Sequence, residues 1–204
     1  MVYSLLSTSG IFRMQEIIKS IFQESIRVKE ETLQRNLPQI VKAIEQITNV
    51  LQNNGKLFFM GNGGSAADSQ HIAAEFIGRF QKERRSLPAI ALTTDSSILT
   101  ALGNDYGFDI VFARQLEGLG TRGDLVVAIS TSGNSKNVIE GVKRAKELGI
   151  KSISLTGCGG GKLAGLCDIN LIVPSNKTAR IQESHICIAH TICELVENTL
   201  SPAS

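Results

Sequence analysis

Apolar residues recur at three- and four-residue steps through Ile17, Ile18, Ile21, Phe22 and Val28, with Ser25 in the same series. After Pro38 the spacing resumes at Ile40, Val41, Ile44, Ile47 and Leu51, which predicts two amphipathic helices separated near the proline. Asn53, Asn54 and Gly55 end the second helix, and the period then changes. Strand-like runs at 57–60, 89–92, 125–129, 152–155 and 169–173 alternate with helical stretches near 65–80, 96–102, 108–119, 135–148 and 179–200. This alternation predicts an α/β fold with a mostly parallel sheet covered by helices on both faces. The two leading helices, and a last one carrying Ile181, Ile188, Ile192, Leu195 and Val196, offer more apolar face than a small sheet needs, so a homo-oligomer is expected. Residues 1–13 read as polar and irregular and receive no role; residues 14–204 read as one domain that includes the N-terminal helices 14–54.

Composition narrows the class of function. A chain of 204 residues with 42% hydrophobic residues fills one core, and a formal charge of +2 points to no polyanionic partner. Aromatics make up only 5%, and the densest basic cluster, Lys82 to Arg85, is broken by Glu83 and reads as a solvated loop. Nucleic-acid binding is therefore not expected. No apolar run approaches the ~20 residues of a membrane helix, and residues 2–6 lack the basic flank of a signal peptide. The four cysteines show no CxxC spacing and read as reduced thiols in a cytoplasmic protein.

Two of the strand-like runs break directly into Gly/Ser loops. The first is Gly61, Asn62, Gly63, Gly64, Ser65 and the second is Ser130, Thr131, Ser132, Gly133, Asn134, Ser135. In parallel α/β sheets ligands bind beyond the carboxyl ends of the strands, where both loops lie. A loop opening a helix offers converging backbone N–H groups and the positive end of the helix dipole, which suits a phosphate. Serine is also an ordinary helix cap, but four hydroxyls among the six residues of the second loop favour an anion site. The run from Gly157 to Lys162 resembles a Walker loop only superficially, since Thr156 stands where its first glycine should be and Leu163 replaces the hydroxyl for Mg²⁺. Gly61, Gly63 and Ala66 do satisfy a loose dinucleotide fingerprint, with Asp95 placed as a ribose acid; that alternative leaves the second loop unexplained.

Catalytic chemistry enters on the flanking helices. His71 and Glu75, at i and i+4, share a helix face, as do Gln182 and His190 on the last helix. Glu183 lies close to that second face, so spacing does not choose between it and Gln182, while His185 points away and reads as a satisfied structural histidine. Two imidazoles, a carboxylate and an amide oxygen form an N/O set suited to Zn²⁺, or Glu75 and His190 form a general base and acid.

At GNGGS, STSGNS and the run Ala179 to Glu183, the chain resembles the sugar isomerase (SIS) domain family, from its first helix to about Leu200. The resemblance implies a three-layer α/β/α sandwich, a homotetramer with active sites between subunits, and one bound zinc per subunit. It also implies that Ser65, Ser130, Thr131, Ser132 and Ser135 contact a sugar phosphate and that Asn62, Gly63 and Gly64 line the site. Asn104 and Asp105, which by residue type read as part of a turn, become substrate contacts on the same ground, with Glu75 and Gln182. Zinc is assigned to His71, Glu75, Gln182 and His190. The implied reaction interconverts sedoheptulose 7-phosphate and glycero-manno-heptose 7-phosphate for bacterial envelope heptose, Glu75 serving as base and His190 as acid. A regulatory branch of the family binds the replication initiator instead, but it lacks the acid and imidazole that this chain keeps at Glu75 and His190.

Overall fold

The structure is a computed structural model and describes residues 8–201. Residues 1–7 of the leading segment lie outside that range. The order is α1 (Thr8–Gln52), β1 (Leu57–Gly61), α2 (Gly64–Ile77), β2 (Ala89–Ala91), α3 (Ser96–Tyr106), α4 (Val111–Leu119), β3 (Leu125–Ser130), α5 (Lys136–Glu147), β4 (Lys151–Thr156), β5 (Ile169–Ile172) and α6 (Thr178–Leu200). Each predicted strand and each helix after residue 57 is present within a few residues of its expected bounds.

The N-terminal region differs from expectation. One continuous helix of 45 residues, with Pro38 inside it, replaces the predicted pair and begins within the segment that read as irregular. A proline in a helix interior removes one hydrogen bond and costs about 3 kcal/mol. Here Pro38 and Gln34, whose carbonyl loses its partner, both lie on the exposed side where water can replace the bond. The helix is held on either side of the proline by buried Val28, Thr32 and Asn36, and by Ile40, Ala43, Ile47 and Leu51. The Asn36 side chain bonds both the N–H and the C=O of Ile172 at 3.0 Å, occupying the free edge of β5 as another strand would. Ile17, Ile18, Ile21 and Phe22 remain exposed, so of the first predicted apolar series only Val28 reaches this chain's core.

All five strands are parallel, in the order β2-β1-β3-β4-β5. β1 and β3 are buried along their whole length, which explains why both read as continuous apolar runs rather than alternating ones. Successive side chains face opposite layers. Leu57 and Phe59 join α1, α2 and α6 in one core, and Phe58 and Met60 join α4 and α5 in the other. The result is the expected α/β/α sandwich.

Among the described residues no helix is long and apolar enough to cross a membrane. All four cysteines are free thiols; burial pushes Cys167 up to about 11 and Cys193 up to about 12, which makes both inert. The basic cluster after α2 is only partly solvated, because Arg84 is buried against Glu197 on α6. That partner lies 113 residues away in sequence.

His185 is buried as expected but is not the satisfied histidine the sequence suggested. Neither ring nitrogen makes a well-formed hydrogen bond. Burial lowers its pKa to about 4, and a weak approach to the Thr156 backbone offsets this only in part. The unfolded chain takes up a proton near the ordinary value of 6.5 while the folded one resists it, so stability falls as pH drops from 6.5 towards 4. The loss expected from this group is about 3 kcal/mol, and none is added below the folded value. Urea denaturation at several pH values across this window, for the parent and for His185→Gln, checks it; the variant should lack this part of the pH dependence.

Candidate active site

The strand order places β1 and β3 side by side while their following helices, α2 and α5, go to opposite layers. This is the switch point at which open parallel sheets form a crevice. Gly61 pairs with Ile129 and Ser130 with Thr156 in the register, so both Gly/Ser loops leave the sheet at one level. A reciprocal amide pair latches them together: Asn62 Nδ2 donates to Asn137 Oδ1 and Asn137 Nδ2 to Asn62 Oδ1, each at 2.8 Å. Asn137 Oδ1 also accepts the Val138 N–H at 2.9 Å. This buried asparagine is a site residue that sequence reasoning missed, and its position two residues beyond the second loop was the only signal.

The second loop is a tight turn lined with hydroxyls. Gly133 N–H closes the turn onto the Ser130 carbonyl at 3.0 Å, and the Ser130 and Ser135 hydroxyls meet at 3.0 Å. Ser135 occupies the cap position of α5, but its hydroxyl accepts no backbone N–H of the first turn, so the bland capping role is not what this serine performs. Ser132 is exposed and Thr131 half-buried, with Ser132 Oγ accepting the Asn134 N–H at 3.2 Å. The glycine-rich run that mimicked a Walker loop wraps this turn from outside. Gly157 N–H donates to the Thr131 carbonyl at 3.0 Å, Leu163 N–H to the Gly133 carbonyl at 3.1 Å and Lys162 N–H to Asn134 Oδ1 at 3.1 Å. Cys158 through Gly161 all hold positive φ, between 50° and 90°, which permits this backbone-to-backbone fit.

The first loop opens α2. Ser65 is buried with its N–H on the Asn62 carbonyl at 2.9 Å, and Gly63, with φ 54°, makes the turn. Gln182 of α6 packs so closely on Gly64 that a Cβ there would collide with the side-chain amide. Glu183 is committed elsewhere, to Arg180 at 2.6 Å and to the Ser25 hydroxyl of α1 at 2.7 Å. The ambiguity between Gln182 and Glu183 is thus removed: Gln182 faces the crevice and Glu183 faces α1.

Two turns along α2, His71 Nε2 lies 3.1 Å from Glu75 Oε1 and 3.4 Å from His190 Nε2, which α6 brings across. The donor atoms of these three residues all lie within 4.8 Å of one another. A tetrahedral ion with bonds near 2.0–2.1 Å has ligand-to-ligand edges of about 3.3 Å, so the two short separations match what zinc requires. Phe80 packs on the His190 ring at 5.5 Å between centroids, another contact absent from the sequence pattern.

Asn104 and Asp105 sit in the last turn of α3, which Gly107 ends with φ 92°, rather than in a free turn. They are exposed and bonded to each other at 2.8 Å, with no hydrogen bond to either loop among the described residues. Asp95, the ribose acid of the dinucleotide alternative, instead caps α3 by accepting the Ile98 N–H at 2.9 Å.

Comparison with known proteins shows the family. The SIS domain family matches residues 21–157. A phosphoheptose isomerase of Aliarcobacter butzleri is 58% identical over 88% of this chain and 93% of its own. One of Aquifex aeolicus is 54% identical over 94% and 100%, respectively. The solved structure of phosphoheptose isomerase from Neisseria gonorrhoeae superposes with a TM-score of 0.86 at 49% identity, covering 91% of this chain and 99% of that one.

Proposed function

The chain belongs to the SIS domain family and, within it, to the phosphoheptose isomerases, and from that premise we propose that it interconverts sedoheptulose 7-phosphate and glycero-manno-heptose 7-phosphate. The observation that carries the reading is the meeting of His71, Glu75 and His190, the first two on the helix that opens from the first of the two Gly/Ser loops at the switch point of the sheet. A regulator of the same fold needs the loop but has no use for the acid–base pair, and function follows the site rather than the fold.

Substrate phosphate is held by the 130–135 loop through its backbone N–H groups and the hydroxyls of Ser130, Thr131, Ser132 and Ser135, with Ser65 from the facing loop. Asn62, Gly63 and Gly64 line the sugar, and Asn104 and Asp105 reach it from the end of α3. Glu75 presents Oε1 to His71, leaving Oε2 to take the proton from C1 or C2 and return it to the neighbouring carbon. His190 moves the oxygen-bound proton on the same edge of the sugar. The donor set fits zinc at His71, Glu75 and His190, with Gln182 as the fourth ligand. Bound there, the metal would supply Lewis-acid polarisation of the substrate carbonyl.

The exposed apolar stripe of α1, with Ile17, Ile18, Ile21 and Phe22, supports a homotetramer in which neighbouring subunits cover it. The free thiols support a reducing, cytoplasmic setting, and the product fits the heptose of a bacterial envelope polysaccharide.

The test is incubation with sedoheptulose 7-phosphate, with and without a chelator, following the aldose phosphate. Zinc-loaded enzyme should form aldose, and chelation should lower the rate by about tenfold or more, restored by added zinc. Absence of aldose from zinc-loaded protein would overturn the assignment.

A further inference from the structure

The segment between α2 and β2 is organised by one buried ion pair, Arg84 with Glu197, whose side chains are 4% and 2% exposed. Glu197 Oε1 accepts the Phe80 N–H at 2.9 Å and Arg84 Nε at 3.0 Å. Its Oε2 accepts the N–H groups of Gln81 at 2.7 Å and Lys82 at 2.8 Å. Burial pushes this carboxyl up, but the three backbone donors and Arg84 together hold it below its ordinary value, so it remains ionised. The guanidinium fills the carboxyl end of α2: Nη1 donates to the carbonyls of Phe76 and Gly78 at 3.0 and 3.1 Å, and Nη2 to the carbonyl of Glu75 at 2.8 Å. A third Nη1 contact reaches the Arg85 carbonyl at 3.0 Å.

A buried ion pair is weak evidence for stability, because apolar replacements often serve as well. Apolar side chains, however, could not collect three N–H groups and four carbonyls onto one point. Two of the groups so fixed belong to the site. The Glu75 carbonyl anchors the residue that carries the carboxylate. The Phe80 N–H sets the turn that lays the Phe80 ring on His190 at a 38° tilt, while His71 meets the same imidazole edge-on at 5.0 Å. His190 is therefore held between a clamp-dependent ring and a residue of α2.

We infer that Glu197 and Arg84 are positioning residues for proton transfer, holding Glu75 on α2 and His190 on α6 in register by fixing the Glu75 backbone and seating Phe80 against the imidazole. The inference rests on the isomerase reading of Glu75 and His190. Misplacement of a catalytic group by about 1 Å can slow a reaction on the order of 100-fold. The phosphate loop lies across the crevice on β3, so binding is left largely intact.

Three variants test it. Glu197→Gln keeps the shape and removes the charge, Arg84→Lys keeps the charge and removes the fork, and Phe80→Leu spares the ion pair but removes the ring. Each, confirmed folded by circular dichroism, should lower kcat on sedoheptulose 7-phosphate at least about tenfold with KM within about twofold of the parent. In metal-free protein, the His190 ring proton resonances should shift in Phe80→Leu and Glu197→Gln alike, through the lost or displaced ring current. Should Glu197→Gln fail to fold, Arg84→Lys and Phe80→Leu decide the matter. Unchanged kcat in folded Arg84→Lys or Phe80→Leu, a rise in KM in place of the fall in kcat, or unmoved His190 resonances would overturn the inference. A parent enzyme forming no aldose would overturn the isomerase reading instead, and the resonance measurement would still report on the clamp.

Discussion

Glu75→Gln is expected to lower kcat by about 10³-fold while the sugar phosphate still binds. The substitution keeps the size of the side chain and an oxygen for the His71 contact but removes the basic carboxylate. Positioned general acid–base groups contribute roughly 10²–10⁴-fold, and the proton removed here is bound to carbon, which places the demand at the upper end. The 130–135 loop proposed to hold the phosphate follows β3 and is untouched by the change. Calorimetric titration with substrate should give an affinity within about threefold of the parent, the pattern of an interaction made only in the transition state. Solvent deuterium incorporated into recovered substrate provides a second reading, because proton removal and return exchange the carbon-bound hydrogen even without net conversion. Near-normal turnover, or undiminished exchange, would remove Glu75 from the mechanism. Metal content must be measured alongside, since the same carboxylate is proposed to hold zinc.

Gly133→Ala should act on binding rather than chemistry. Gly133 holds φ at 66°, a left-handed conformation that costs a residue with a Cβ about 1–2 kcal/mol. The added Cβ would also collide with the Gly160 carbonyl and would meet the Gly161 nitrogen at 2.9 Å. Neither is a flexible side-chain end, so the 130–135 loop or the glycine run around it must move. With each 1.4 kcal/mol worth a factor of ten, displacement of the cradle should raise KM by about 100-fold. Gly118→Ala is the control: the position lies within α4 and a Cβ there meets open space, so activity should be unchanged and stability should rise by about 0.5–1 kcal/mol. Steady-state kinetics of the two variants, with urea denaturation of each, separates these effects. A parent-like KM in Gly133→Ala would show that the loop geometry is not required for phosphate binding.

The features legible in the sequence are those encoded within a few consecutive residues. Buried parallel strands are written as apolar runs, and the Gly/Ser loops follow them directly, so β1 and β3 announced both the sheet and the crevice. His71 and Glu75 were paired by the helical repeat. Pro38 was misread because its effect depends on which side of α1 faces water. Residues 82–85 were misread because the partner that buries Arg84 lies on the last helix. Asn137 had no pattern of its own; its amide acquires a role only where Asn62 faces it.

The sequence by itself determined the α/β class, the two Gly/Ser loops and which carboxylate, imidazole and amide side chains the flanking helices carry, since these depend on local periodicity and residue chemistry. Only the tertiary structure decided which of them meet. Parallel crossovers carry His190 to within 3.4 Å of His71 from 119 residues away, turn Gln182 to the crevice and Glu183 to α1, and bury Arg84 on Glu197. The physical reason is range: backbone preferences act over a few residues, whereas a metal-ligand set, an amide latch and a buried ion pair require atoms about 3 Å apart that only packing can bring together.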